Sequence, residues 1–106
     1  MSAVAILVTT TDGEAAARDL ARAALEARLA ACVQIFPIRS HYVWKGDYCD
    51  EAEFQLQMKH RAQDFAALSA LVLRLHPYET PEILRIDVAE TSEAYGQWLQ
   101  TATSRG

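Results

Sequence analysis

This chain of 106 residues is short of several things, and each shortage excludes a class of protein. Its two cysteines, Cys32 and Cys49, are too few for the disulfide framework of a small secreted scaffold. Its only lysines are Lys45 and Lys59; with eight arginines they make no basic run, and the net charge is −4. That balance lacks the positive footprint to which nucleic acid or an anionic membrane surface is drawn. Four glycines and three prolines leave no flexible linker to divide the chain. The apolar run Ala3–Val8 is far below the ~20 residues that cross a bilayer, and neither a basic segment before it nor a cleavage site after it marks a secretory signal. There is no phosphate-binding glycine loop, nucleophile elbow or H-E-x-x-H pair, so no enzyme is expected. The expectation is a cytoplasmic protein with reduced thiols, without nucleic-acid or membrane partners.

What is present suits a single domain over residues 1–106. Half of the chain is apolar (51%), and nineteen of those residues are alanine, which leaves enough larger side chains for one core. Ala3–Thr10 is a nearly continuous Val/Ile/Leu run and predicts a strand buried on both faces. Thr11 and Glu14 have capping-box spacing, and the Ala-, Leu- and Arg-rich stretch that follows to about Ala30 predicts a helix with Ala17, Leu20, Ala21, Ala24 and Leu25 inward. Cys32–Trp44 predicts a long strand on which Pro37 demands an edge or a bulge. A turn at Lys45-Gly46-Asp47 leads into Glu51–Arg61, where Phe54, Leu56 and Met58 alternate with Glu53, Gln55, Gln57 and Lys59. Ala62–Leu75 returns to helical spacing and stops before Pro77. Ile83–Val88 predicts a fourth strand, and Ser92–Thr101 a last helix.

The order βαββαβ plus a helix closes most simply as an α+β, ferredoxin-like split βαβ fold with an extended β-hairpin and a C-terminal helix. Two helices cover one sheet face only. The second strand carries Val33 and Ile35 on one side and Phe36 and Ile38 on the other, and two-sided apolarity of this kind implies a partner subunit. Tyr42, Trp44 and Tyr48 at the hairpin tip are residue types that interfaces favour.

Three segments carry a family resemblance: Ala30-Ala31-Cys32-Val33, then Tyr42-Val43-Trp44-Lys45-Gly46, then His76-Pro77-Tyr78-Glu79-Thr80-Pro81-Glu82, with Tyr95-x-x-Trp98 near the end. Together they resemble the CutA divalent-cation tolerance family over nearly the whole chain. The resemblance implies the fold reached above and a homotrimer in which long hairpins pair with neighbouring subunits. It also implies copper, or another divalent cation, as the bound species. Its alternative implication is a PII-like signalling trimer that reports a small ligand to a protein partner. The metal site implied by resemblance falls on Cys32 and His76 with an acidic residue nearby. Some members carry a further cysteine where this chain has Thr9, a departure that lowers the expected Cu(I) affinity.

Two constellations follow, and only the family resemblance brings the members of the first together. Cys32 is a soft donor, a neutral His76 is a good copper or zinc ligand, and Glu79 or Glu82 adds oxygen; the candidate metal set is Cys32, His76 and Glu82. Their structural reading stands beside it, with Cys32 as a small buried hydrophobe and His76 as a helix-end cap. The alternative set, Tyr42, Trp44, Lys59, Tyr78 and Glu79, mixes aromatic faces with polar tips and suits an anion or small organic ligand between subunits; the same aromatics also serve trimer packing. Asp47, Asp50, Glu51 and Glu53 read as a solvated acidic turn, and His41 and His60 as solvent-facing strand residues.

Overall fold

A computed structural model of the protein describes residues 2–106. Strand β1 (Val4–Thr11) leads into helix α1 (Glu14–Glu26), and strands β2 (Cys32–Trp44) and β3 (Asp47–Arg61) make the long hairpin. A short 3-10 turn (Ala62–Asp64) enters helix α2 (Phe65–Leu75), followed by strand β4 (Leu84–Asp87) and helix α3 (Glu93–Ala102). The order in the sheet is β2-β3-β1-β4, all neighbours antiparallel, which is the expected βαββαβ arrangement with its C-terminal helix. Pro37 is accommodated because β2 is an edge strand. The hairpin turns tightly through Lys45 and Gly46, both at positive φ (51° and 85°), the backbone twist that two-residue hairpin loops require.

Register decides which residues share a face. Leu7 of β1 lies opposite Met58 of β3, and Ile35 of β2 opposite Leu56, so these side chains point to one side. There they meet Ala17, Leu20 and Ala24 of α1 and Leu68 and Val72 of α2 in a closed core. The small alanines let α1 approach the sheet closely. Leu25, expected on the inner stripe, is exposed. The opposite face carries Cys32, Phe36 and Ile38 from β2, Gln55, Gln57 and Lys59 from β3, Ile6 and Val8 from β1, and Leu84 and Ile86 from β4. At one end of it α3 is fastened by Arg61, whose guanidinium donates to Thr103 Oγ1 (2.8 Å) and to the Gln100 carbonyl (2.7 Å). At the other end β3 outruns β1: residues 47–53 pair with β2 alone, and the hairpin stretches the molecule to 45 Å.

Three local expectations are corrected. Thr11 is the last residue of β1, not a helix cap; its hydroxyl donates to the Gly13 carbonyl (2.8 Å), and Gly13 stands at the N-cap without a side chain to offer. Helix α1 stops at Glu26 because Arg28 adopts φ 57°, which turns the Leu29 and Arg28 amides back onto Ala24 and Leu25 (3.1 and 3.0 Å) in a Schellman closure. His60 is not solvent-facing. Its even position on β3 puts it on the helix-covered side with Leu56 and Met58, where it is wholly buried beside Phe65.

Burial holds the His60 imidazole neutral and pushes its pKa below the ordinary histidine value; its Nδ1 is 2.6 Å from the Arg61 carbonyl, which partly opposes the shift. Below pH 6.5 the unfolded chain therefore takes up a proton that the native one resists. The stabilisation is complete above that pH and falls away as the pH drops towards the native pKa. In denaturant titrations at fixed protein concentration, His60→Leu flattens this acid limb by up to one proton. An acid limb identical to that of the parent protein contradicts the assignment.

Candidate functional site

Helix α2 ends where Pro77 forces His76 out of helical geometry, to φ −72° and ψ 136°. The chain then wraps around the end of β1, and the His76 ring pins it there. Nδ1 accepts the Tyr78 amide (3.1 Å), so Nε2 carries the proton and donates it to the Thr10 carbonyl (2.9 Å). Burial lowers the His76 pKa, in keeping with this neutral, doubly bonded ring. Tyr78 packs against it with ring centroids 4.9 Å apart and reaches over the open sheet face. Its hydroxyl donates to Glu53 Oε2 at 2.5 Å, and Glu53 is only 5% exposed. Burial first, and the Glu53 carboxylate second, drive the Tyr78 pKa far upward, so the phenol stays a donor.

Between this loop and the overhanging hairpin lies a cleft of about 510 Å³. Its carboxylates are Asp12, Glu51, Glu53, Glu79 and Glu82; its aromatic walls are His41, Tyr42, Trp44 and Tyr78. A cation at its rim is Lys45, whose Nζ stands 5.5 Å from the Trp44 ring centroid and 3.8 Å from Glu79 Oε2. Partial desolvation, then the negative charge of Glu51, raises the Tyr42 pKa. The carboxylates therefore give the cleft a negative field.

Of the ligand-site set, Tyr42, Trp44, Tyr78 and Glu79 meet in the cleft. Lys59 does not: it donates to Gln34 Oε1 (2.7 Å), level with Cys32 on β2. Of the metal set, Glu82 lines the cleft and His76 stands behind Tyr78, but Cys32 is elsewhere. Cys32 is in register with Lys59 and, through it, with Ile6; His76 holds Thr10, four residues further along β1. Four residues of strand separate the two donors by roughly 13 Å along the sheet. Both His76 nitrogens are already bonded within the chain, and among the described residues no three His, Cys, Asp or Glu side chains gather as a metal cage. A copper ion held by Cys32, His76 and Glu82 together therefore does not fit one isolated chain. Cys32 instead neighbours α3, where burial first and the Cys32 sulfur second raise the Tyr95 pKa.

Asp12, His41, Glu51 and Glu53 line the cleft but were not placed in a site from sequence. Asp12 follows a strand and resembles any turn acid. Glu53 was grouped with the acidic turn, but those acids separate: Asp50 pairs with Arg39 (2.7 Å), whereas Glu53 is covered by Tyr78. The signal for Glu53 was its place opposite Ile38 in the hairpin register, an apolar neighbour for an acid.

Comparison with known proteins gives a consistent result. The model of the family described as CutA1 divalent ion tolerance protein matches residues 5–102. The chain is 38% identical to the divalent-cation tolerance protein CutA of Thermus thermophilus, covering 92% of this chain and 96% of that one. It is 36% identical to human Protein CutA over 94% of this chain, and spans 56% of the human protein's length. Among solved structures, CutA from Synechococcus elongatus superposes with a TM-score of 0.94 at 39% identity, covering 98% of this chain and 93% of that one. The periplasmic divalent cation tolerance protein CutA from Archaeoglobus fulgidus superposes with a TM-score of 0.93 at 31% identity, over 95% and 99%.

The Tyr78–Glu53 bond makes the cleft testable without a ligand. Tyr78→Phe removes the donor to a buried carboxylate and is expected to cost about 1–3 kcal/mol of stability in chemical denaturation. In the Glu53→Gln background the same change is expected to cost less. Equal losses in both backgrounds mean that the two side chains do not act together.

Proposed function

The chain belongs to the CutA1 divalent ion tolerance protein family, and from that premise we propose that it acts as a homotrimer that binds copper or another divalent cation in metal tolerance. This is a family of ion-tolerance proteins, not of enzymes. The observation that carries the cation reading is the cleft of five carboxylates, Glu82 among them, with no arginine in its lining. Hard divalent ions favour such oxygen donors and keep part of their water shell. Cys32 supplies the soft donor that copper prefers. Because it stands apart from His76 and Glu82 within one chain, in this reading it reaches a shared ion only from a neighbouring subunit.

The trimer is supported by apolar side chains left uncovered in one chain. Leu84 and Ile86 of β4 are 52% and 49% exposed on the open face, and Tyr48 and Val43 at the hairpin tip are 72% and 68% exposed. Both edges of the sheet, β2 and β4, also lack neighbours among the described residues. One further strand partner per edge closes a ring of subunits. The two free thiols support a reducing cytoplasm, and no helix among the described residues is long and apolar enough to cross a membrane.

The second reading is a PII-like trimer that binds a small ligand and signals to a protein partner. What favours it is the convergence of Tyr42, Trp44, Tyr78 and Glu79 on one cleft of ligand size.

Light scattering is expected to give three times the 11.8 kDa chain mass, about 35 kDa; a monomer sinks the assembly. Anaerobic titration of the reduced protein with copper, and separately zinc, is expected to saturate near one ion per chain. Cys32→Ser weakens copper more than zinc, and Glu82→Gln weakens both. His76→Ala abolishes binding if the ring turns to the ion, with circular dichroism to confirm that the loop remains folded. Absence of saturable binding by either metal refutes the metal reading.

A further inference from the structure

We propose that the cleft between the hairpin and the His76–Glu82 loop is a binding site for a small organic cation, one that carries an ammonium or guanidinium group on an aliphatic stem. The inference rests on the second reading above, that the cleft takes a small ligand, and supplies that ligand's chemical class; it does not depend on copper.

Three observations lead there. The first is shape: about 510 Å³ lies within the range of organic-ligand sites and is far more than a bare ion fills. The second is the composition of the walls. Carboxylates at Asp12, Glu53 and Glu82 face a space bounded by the rings of Tyr42, Trp44 and Tyr78. The carboxylates do not gather into a metal cage among the described residues, so they supply charge to a ligand that brings its own N–H donors. Aromatic faces attract the same groups through their quadrupoles and shelter an aliphatic stem. Nucleotides and other anions meet repulsion from every carboxylate.

The third observation is that the chain already places such a cation at the rim. Lys45, held at the hairpin turn by a backbone at positive φ, sets its ammonium 5.5 Å from the Trp44 ring centroid and 3.8 Å from Glu79 Oε2. A lysine tip is itself an ammonium on a methylene stem. It occupies the aromatic-plus-carboxylate subsite at the open end and leaves the inner end, at Glu53 and Asp12, to a ligand. The inner end is the more discriminating. Glu53 is buried and fixed by the Tyr78 hydroxyl, which is fixed in turn by the packing of Tyr78 on His76.

The arrangement makes an unusual prediction about Lys45. A ligand ammonium and the Lys45 ammonium compete for Trp44 and Glu79, so removing the lysine tightens binding. The experiment is calorimetric titration of the intact oligomer with 1,4-diaminobutane and with agmatine, at low and at raised salt, with ATP and 1,4-butanediol as anionic and neutral comparisons. Saturable binding of either cation, weakened by salt, is expected. Glu53→Gln weakens it at least tenfold, and Glu82→Gln, at an exposed position that folding does not depend on, weakens it severalfold. Lys45→Ala tightens it severalfold, whereas Arg22→Ala, which removes a positive charge from an exposed position further along α1, outside the cleft lining, leaves it unchanged. Equal tightening by both variants means only general attraction to an acidic protein and overturns the proposal. Binding of ATP or the diol in place of the cations overturns the ligand class but leaves the ligand-binding reading standing. If none of the four binds, that reading falls too, whatever the copper titration shows.

Discussion

The hydrogen bond from His76 to the Thr10 carbonyl is the constraint on which the site depends. It joins the end of α2 to the end of β1 across sixty-six positions of sequence, and it fixes one tautomer, because Nδ1 is occupied by the Tyr78 amide. Once the ring is fixed, Tyr78 has little freedom; it lies against His76 and directs its hydroxyl at Glu53. Glu79 and Glu82 follow on the same short loop. A charged imidazolium has no acceptor for the Tyr78 amide, so the neutral ring and the shape of the cleft go together.

The same bond explains why His76 makes a poor ligand within one chain. A metal-binding histidine presents one nitrogen to the ion and anchors the other, whereas here both are anchored. Charge in this part of the molecule resides on carboxylates, and the one nearby ammonium belongs to the hairpin turn. The field over the cleft is therefore negative whichever occupant it takes. Metal ions and organic cations are both consistent with it and differ in what they require. A metal needs donors that converge, which calls for movement or a neighbouring subunit; an organic cation needs a bounded space, which is already there.

The overhang of the hairpin is the second governing feature. Strand β3 continues for seven residues past its partner β1, so the faces of Tyr42, Trp44 and Glu51 are backed by β2 and β3 alone. A two-stranded ribbon is weak on its own. The uncovered apolar residues along it and along β4 are the counterpart of that weakness, and both are what the proposed ring of subunits would cover. The open sheet face is thus covered at its two ends, by α3 and by the His76 loop, and the strip containing Phe36, Leu84 and Ile86 lies open between them.

Much of this was legible in the residues. Alternation in Glu51–Arg61, the apolar run of β1, the proline after His76 and the edge proline at Pro37 fixed the elements and their order, because backbone geometry and side-chain periodicity are local properties. The motif strings identified the family for the same reason, being contiguous. Local signals misled where a tertiary partner outweighed them. Thr11 had capping spacing but remained in the sheet, and His60 and Glu53 looked solvated until the covering helix and Tyr78 buried them. Sequence by itself determined the fold class, the hairpin and the family. Only the tertiary structure decided that Cys32 and His76 lie apart, that Lys59 lies further along the same sheet face, outside the cleft, and that the cleft is acidic, since those facts depend on strand register and on which loop crosses which strand end, and no spacing along the chain encodes a distance across a sheet.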